Sequence, residues 1–480
     1  MKLNLGTVRK YHDVAVFLGL LMAVAFVPIP LGSNRPYAWY ALAIFVYGLL
    51  AIQAMGAMVF AGHRILPRRT ATILVVLVVW LGFVFLQTLS VPRVVVHALN
   101  PLVYKLQQNL ALISIRAENT LSVDPGSTYD EFLKFGCYAA VFYLTLTTVN
   151  TRDRLLRMAG VIVLVATIEV AFGLYCKATG FVLFPEASTD SEMRAGTFVN
   201  PHHYANLLMM VLGLVCGLMA SVANSVKAGN IWKLEKCGKV PLWGLSALAV
   251  VALTLISGVL VAGAPAPVVF FGIAFGVVLL VGWPLKCVTA ADLVPAPLVV
   301  LAALAATILI GLHRGLAWFT HWDLVGSERL LQDVSGLRLL GSVWATGVGA
   351  GNYRWVFPMF RSADLRFVTY DHAHNDYLEA AIGQGIPTAM ILGLAVLLIL
   401  RQLCKGYKNR RNPLMRGVIL GSLVSLVFML LDATIGFSFQ IPANSVYFFV
   451  IAGMGLCACR IDQGKRAVAT SGGSGGVQNE

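Results

Sequence analysis

Residues 371–400 read DHAHNDYLEAAIGQGIPTAMILGLAVLLIL, a polar stretch followed directly by an apolar one. The polar part, from Asp371 to Glu379, contains two imidazoles and three carboxylates. The apolar part approaches the ~20 residues that a helix needs to cross a bilayer. Because titratable groups are costly in lipid, we interpret this junction as a loop that enters a membrane and carries chemistry at its surface.

The whole chain is strongly apolar. Hydrophobic residues make up 58% of its 480 positions and charged residues 12%, whereas soluble domains are roughly half apolar and a quarter charged. This composition predicts an all-α polytopic membrane protein with about twelve transmembrane helices. The apolar runs lie near 13–30, 37–61, 71–90, 131–149, 156–177, 201–222, 241–263, 264–283, 295–312, 377–400, 415–435 and 440–459.

These runs divide the chain into four predicted parts. The first and third parts are membrane-spanning, the second is a large helical periplasmic loop before the tenth helix, and the fourth is a Gly- and Ser-rich cytoplasmic tail predicted to be disordered. The parts are residues 1–312 (helices 1–9, with outer loops at 91–130 and 178–200), 313–376 (the large loop), 377–460 (helices 10–12) and 461–480 (the tail).

Basic residues alternate from one connection to the next, and most of the 36 Lys and Arg residues fall on one side of a twelve-span arrangement. The positive-inside rule makes that side the cytoplasm and places both termini there. The same rule explains most of the net charge of +14, so no nucleic-acid partner is predicted. The eight cysteines lie in spans or inner loops, which excludes a disulfide framework and a cysteine metal site.

Several arginines nevertheless stand on the opposite, outer side. Pairing with nearby Asp and Glu residues is one explanation. Binding of an anionic ligand is the other, because guanidinium groups match phosphate oxygens in pairs. These arginines are Arg194, Arg314, Arg329, Arg338, Arg354, Arg361 and Arg366.

Two outer segments place such an arginine at the start of a predicted helix, where backbone N–H groups and the helix dipole favour anions. In residues 32–36, Asn34 is a candidate N-cap for the next helix, and Arg35 and Pro36 stand near its first turn. In residues 194–204, Asn200 is predicted to cap a helix that begins at Pro201.

The third helix start is the segment quoted first. Asp376 and Glu379 fit a capping box, which predicts that their carboxylates satisfy backbone donors. His374 then lies just outside the helix, where the dipole favours a neutral imidazole, a usable general base. His372 is expected to point to the same side. Two alternatives are a metal site made by Asp371, His372 and His374, which lacks a further strong ligand, and a purely structural pair of histidines.

Three further features concern the same side of the membrane or its interior. The glycine-rich segment 347–353 lacks the Lys-Ser/Thr ending of a phosphate loop and is predicted to let two backbones approach closely. Glu169 and Asp432 lie within apolar runs, where ionisable residues are functional candidates. Asp432 stands near the outer end of its run, within reach of the site, whereas Glu169 has no obvious partner.

Taken in order, five segments resemble the superfamily of O-antigen ligases and O-antigen or exopolysaccharide polymerases. The ordered set covers most of the chain and is more specific than any single segment. The large-loop and last outer segments depart in part, with Gln332, Trp344, Ala433 and Gly436 near positions where relatives carry other residues. The segments are residues 30–36, Arg194 with 196–201, 328–330 with 347–353, 372–379 and 441–444.

The resemblance implies a periplasmic-face glycosyltransferase in the bacterial inner membrane that moves a glycan from undecaprenyl diphosphate to an acceptor sugar hydroxyl. It implies His374 as the base and Arg194 and Arg329 as diphosphate ligands, to which we add Arg35. We expect His372, Asn375 and Asp432 to support the base, inversion at the anomeric carbon, and no metal or cofactor.

Two questions of function stay open at this point. A ligase transfers to the lipid A core, and a polymerase transfers to a second lipid-linked glycan. Nothing in the sequence decides between them, and we take the ligase as the first hypothesis. A lipid-linked glycan transporter is a third reading. It predicts ionisable residues near the membrane centre and two related halves, and we find no internal repeat.

Overall fold

The computed structural model describes residues 5–60, 66–112, 119–181, 183–184, 195–227, 240–284, 288–365 and 369–461, without the side chains of 226–227, 240–242 and 310–327. It is helical throughout this part of the chain. The helices are α1 (Leu5–Phe26), α2 (Pro36–Val59), α3 (Arg68–Leu86), α4 (Arg93–Leu99), α5 (Pro101–Leu112), α6 (Pro125–Thr148), α7 (Arg152–Thr179), α8 (Pro201–Lys227), α9 (Val240–Val261), α10 (Ala266–Gly282), α11 (Ala296–Val343), α12 (Tyr353–Val356), α13 (Asp376–Gln384), α14 (Ile386–Asn409), α15 (Pro413–Asp432) and α16 (Pro442–Ala458).

Eleven of the twelve predicted apolar runs each coincide with one helix, whereas the run 377–400 is divided at Gly385 between α13 and α14. Within the described residues, seven helices are long and apolar enough to cross a membrane, namely α2, α3, α7, α8, α9, α14 and α15. The helical membrane class is therefore confirmed, while twelve crossings and their orientation remain predictions. The disordered tail predicted at 461–480 lies outside the described residues except for Ile461.

Prolines and capping side chains mark where helices begin. Six of the helices named above start at a proline, whose fixed φ suits the first turn and whose missing N–H is not needed there. Side-chain oxygens of Asp124, Thr151 and Asn412 accept backbone N–H bonds at the starts of α6, α7 and α15. The local sequence thus sets these boundaries without help from distant contacts.

The centre of the molecule is the crossing of α8 and α15. In the most apolar 18-residue stretch of α8, 89% is buried inside the protein, so this helix is surrounded by other helices. The two helices approach closely because glycines face each other. A Cβ atom added at Gly217 would lie 2.2 Å from the carbonyl oxygen of Gly417, which no side chain could tolerate. Ser425 adds a hydrogen bond from its hydroxyl to the carbonyl of Met210, at 2.6 Å.

The region between α11 and α14 forms a second, smaller apolar core. The 48-residue helix α11 continues past position 313, where the large loop was predicted to start, and ends at Val343. Leu339, Phe357 and Ile382 are among the buried residues of this core. Because Ala373 and Leu378 also belong to it, the small core holds the histidine-bearing segment in place.

The glycine-rich segment after α11 packs its backbone directly against the end of α13. Val348 N–H donates to the carbonyl of Ile382 at 2.8 Å, and Gly349 N–H donates to that of Gly383 at 2.9 Å. Gly347 has φ +73°, and a Cβ there would lie 2.4 Å from the Gly383 oxygen. The predicted close approach of two backbones is confirmed.

Candidate functional site

The start of α13 differs from the predicted capping box. Asn375 is the N-cap, and its side-chain oxygen accepts the Leu378 N–H at 3.1 Å. Asp376 is the first helical residue and does not cap. The prediction that Asp376 caps this helix was therefore wrong, and Asn375, expected to support the base, instead fixes the helix start beside it.

Asp376 connects this helix to the segment between α15 and α16. Its backbone N–H donates to the carbonyls of Ala433 and Gly436, at 2.9 and 3.1 Å. Its carboxyl group accepts the Phe439 N–H at 3.0 Å. Burial raises the pKa of this carboxyl group well above its ordinary value, despite the lowering effect of the Phe439 bond. Asp376 thus joins two connections that are distant in sequence.

Glu379 turns back toward the residues that precede the helix. One carboxylate oxygen accepts the Ala373 N–H at 2.9 Å, and the other lies 2.8 Å from Nδ1 of His372. Satisfaction of backbone donors was predicted for Glu379 and is confirmed at Ala373. Burial lowers the pKa of His372, but the charge and hydrogen bond of Glu379 outweigh it and raise that pKa. His372 therefore holds its proton to higher pH than an ordinary histidine does.

His374 has the opposite electrostatic setting. Its pKa is lowered, first by burial and then by the positive charges of Arg329 and His372. Nδ1 is buried and has no hydrogen-bond partner among the described residues. Its φ is +52°, a backbone conformation that L-residues adopt only at a cost of roughly 1–3 kcal/mol. A neutral imidazole next to the helix start, as predicted, is the result.

The ring of Phe437 brings three histidines together. His372 stacks on it with ring centroids 4.6 Å apart, and His374 meets it edge-on at 4.9 Å. His203, from the first turn of α8, meets it edge-on at 4.5 Å. His372 and His374 therefore do share one site, and the next histidine comes from a separate helix.

His202 completes this group from the same helix turn. Its Nε2 lies 3.0 Å from Oδ1 of Asp432, the last residue of α15. The other Asp432 oxygen accepts Asn206 Nδ2 at 2.6 Å and the Ser438 hydroxyl at 3.0 Å. Asp432 was expected to support His374; in the structure it holds His202. We name His202, His203, His372 and His374 the histidine cluster.

The sequence did not single out His202 and His203 as functional. The usable signal was their position directly after Asn200 and Pro201, at a helix start already predicted to face the site. The cap prediction itself is confirmed, because the Asn200 side-chain oxygen accepts the His202 N–H at 2.8 Å. A helix that starts there places both imidazoles at its terminus.

The remaining motif segments meet beside this cluster. A Cβ added at Gly32, which has φ +64°, would lie 2.7 Å from the Phe198 ring and 3.3 Å from the Ile441 side chain. The Thr197 hydroxyl donates to the carbonyl of Pro28 at 2.8 Å. Three segments that are far apart in sequence therefore share one packed junction.

The structure describes two of the three predicted diphosphate ligands. Arg329 is exposed on α11, and its charge acts on His374. Arg35 is half-buried and occupies the N-cap position of α2, with Pro36 as the first helical residue. Asn34 does not cap that helix, contrary to the prediction. Arg194 lies outside the described residues.

A mainly apolar cavity of about 300 Å³, with Lys177 among its lining residues, lies next to the Ala195–Phe198 turn. Leu31, Val170, Thr197, Phe198 and Tyr204 line it, and none of the described lining residues is a histidine. It is therefore separate from the histidine cluster. The Ala195–Phe198 turn forms one of its walls. A hydrocarbon chain suits such a lining better than a charged group does.

For a metal, the described residues offer no group of three His, Cys, Asp or Glu side chains placed to bind one ion. Nδ1 of His372 is already engaged by Glu379. The three-ligand set considered for Asp371, His372 and His374 is therefore not assembled in this part of the chain.

No protein-family model matches the chain, and no curated protein matches it either.

Proposed function

We propose that this protein is a glycosyltransferase of the O-antigen ligase and polymerase type. It would move a glycan from undecaprenyl diphosphate to a sugar hydroxyl at the periplasmic face of the bacterial inner membrane. The observation that carries the proposal is His374, a neutral imidazole with a buried, unpartnered nitrogen on a strained backbone beside a cationic residue. Strained, pKa-shifted groups of this kind concentrate at functional sites.

The proposed reaction is one displacement. His374 takes the proton of the acceptor hydroxyl, and the hydroxyl oxygen forms a bond to the anomeric carbon on the face opposite the diphosphate. The bond from that carbon to the diphosphate oxygen breaks, and its electron pair leaves with the diphosphate. The anomeric configuration is therefore inverted.

Positive charge is needed where the diphosphate departs. Arg329 acts electrostatically on His374, and the pKa of His372 is raised by Glu379, so both support an anion-binding role. Arg35 and Arg194 are proposed as further ligands from the neighbouring segments. In this proposal arginines and a histidine supply the charge, and neither a metal nor another cofactor is required.

The acceptor is proposed to be the lipid A core, as for a ligase, with a second lipid-linked glycan as the polymerase alternative. Deletion of the gene followed by glycan analysis separates the two. Loss of long chains from lipid A alone indicates the ligase, and accumulation of single repeat units indicates the polymerase.

The direct test uses the full-length protein in proteoliposomes with an undecaprenyl diphosphate-linked glycan and each acceptor in turn. We expect a glycosylated acceptor and free undecaprenyl diphosphate, with the same yield in the presence of a chelator. Movement of the lipid-linked glycan across the bilayer without any glycosylated product would contradict the proposal and indicate a transporter.

A further inference from the structure

Glu169 is a buried acidic residue in the middle of α7, a helix apolar enough to cross a membrane. Only 3% of the residue is exposed. Its carboxyl oxygens meet Thr197, which lies in the turn before α8. The Thr197 N–H donates to Oε2 at 3.1 Å, and the Thr197 hydroxyl oxygen lies 3.0 Å from Oε1 and 3.1 Å from Oε2.

The hydrogens at this contact can be counted. A hydroxyl group donates one hydrogen and accepts through two lone pairs. The shortest contact of the Thr197 hydroxyl is with the carbonyl oxygen of Pro28, at 2.8 Å, and a carbonyl can only accept. The single hydroxyl hydrogen can satisfy either the Pro28 carbonyl or Glu169, but not both at once. Both contacts are hydrogen bonds at the same time only when the Glu169 carboxyl group supplies a hydrogen of its own.

The charge balance around Glu169 agrees with this count. Among the described residues, no Lys, Arg or His forms an ion pair with it. An ionised carboxylate buried without a cation is very unfavourable, whereas a protonated carboxyl group that donates one bond and accepts another is well satisfied.

The turn that Glu169 holds has little freedom to move. Ala195 and Phe198 exchange backbone hydrogen bonds of 3.3 and 3.0 Å across it. Gly196 has φ +58°, and a Cβ there would lie 2.6 Å from the Tyr204 ring and 2.8 Å from the Glu169 carboxyl oxygen. The turn is thus seated on α7 on one side and on the Pro28 segment on the other.

We propose that Glu169 is the positioning residue for the Ala195–Phe198 turn and that it acts as an uncharged carboxylic acid. Arg194 immediately precedes this turn in the sequence. The inference that Glu169 thereby places a diphosphate ligand rests on the proposed function. The inference that it holds the turn does not, and the two are tested separately.

The first experiment measures the turn without using activity. A Val199→Cys variant is labelled in proteoliposomes with a water-soluble maleimide, and the labelling of the parent cysteines is subtracted. Adding Glu169→Ala should raise the labelling rate roughly tenfold, since the turn loses its anchor. Adding Glu169→Gln should leave the rate within about twofold, because an amide donates and accepts as a neutral acid does.

Thr197 provides the matched control in case Glu169→Ala does not fold. Thr197→Ser keeps the hydroxyl and should label like the parent, whereas Thr197→Val should label faster. An unchanged rate in Glu169→Ala and Thr197→Val would overturn the positioning role. A Glu169→Gln variant as fast as Glu169→Ala would overturn the uncharged state, and would instead indicate an ionised carboxylate paired with a cation.

The second experiment measures glycan transfer by the same variants with the natural residue at position 199. Glu169→Ala should raise KM for the lipid-linked donor roughly tenfold with a smaller change in kcat, and Glu169→Gln should restore it. A fall in kcat alone would contradict a role in donor placement. If neither the parent nor any variant transfers glycan, the proposed function fails, while the labelling order still decides the role of Glu169.

Discussion

His202 and Asp432 come from opposite parts of the sequence, yet Nε2 of the imidazole lies 3.0 Å from a carboxylate oxygen. Asp432 is fully buried and also accepts bonds from Asn206 and Ser438. The two atoms lie within ion-pair distance without the geometry of a hydrogen bond, so the contact is electrostatic. We therefore regard the ends of α8 and α15 as one unit of the site.

Replacing Asp432 by Asn should disturb this unit without changing its volume. The amide keeps the shape but removes the charge, so His202 loses its electrostatic partner. We expect glycan transfer to fall by roughly one to two orders of magnitude, because the buried hydrogen bonds of Asp432 with Asn206 and Ser438 also lose their negative charge. The rate in proteoliposomes is the measurement, and Asp371→Asn, at an exposed position, is the control. Equal rates for both variants would contradict a role for this pair.

The pH dependence of transfer should be bell-shaped. The pKa of His374 is lowered below 6.5, and the base must be unprotonated, so activity should be lost as the pH falls through a value below 6.5. The pKa of His372 is raised above 6.5, and its cation is proposed to bind the diphosphate, so activity should decline as the pH rises through a value above 6.5. Glu379→Gln removes the charge that raises the pKa of His372, so it should move this alkaline limb of the pH profile to lower pH. A second limb that does not move would contradict the role of the Glu379 charge.

Replacing Arg329 should shift the acidic limb of the pH profile of glycan transfer. Its positive charge lowers the pKa of His374, so Arg329→Ala should move the acidic limb toward 6.5, whereas Arg329→Lys should keep it in place. The pH profile of transfer measures this displacement apart from any change in donor binding. Arg338→Ala is the matched control, because Arg338 is also exposed on α11. The same displacement in Arg338→Ala would show that the effect is not specific.

The helix cap at Asn375 should contribute to stability. Asn375→Ala removes the acceptor for the Leu378 N–H and should destabilise the protein by about 1 kcal/mol, whereas Asn375→Asp and Asn375→Ser should cost much less. Thermal unfolding in detergent compares the variants. Asn375→Asp and Asn375→Ser are the controls, because each keeps an acceptor for the Leu378 N–H. A stable Asn375→Ala protein would contradict the cap.

Several parts of this structure follow from the sequence because they depend on local rules. Apolar runs predict the helices, and Asn200 and Pro201 predict the start of α8. The direction of the His374 pKa shift was also predicted, although its causes in the structure are burial and the charges of Arg329 and His372. The Gly347 segment is another case, since a glycine-rich turn favours close backbone contact.

Other features depend on which segments meet, and local rules do not determine that. Asn375 and Asp376 are both good capping residues, and Asn375 is the cap while the Asp376 carboxyl group accepts the Phe439 N–H from another segment. Glu169 lacked a partner in the sequence because Thr197 reaches it only through the fold. The His202–Asp432 contact is of the same kind.

The most direct test of the account is glycan transfer by His374→Ala in proteoliposomes that contain a purified undecaprenyl diphosphate-linked donor. His97→Ala is the matched control, because His97 is an exposed histidine on α4 outside the histidine cluster. We predict that His374→Ala lowers the rate by roughly 10²- to 10⁴-fold while donor binding and protein yield stay near those of the parent. A His374→Ala rate equal to that of His97→Ala would contradict the assignment of His374 as the base.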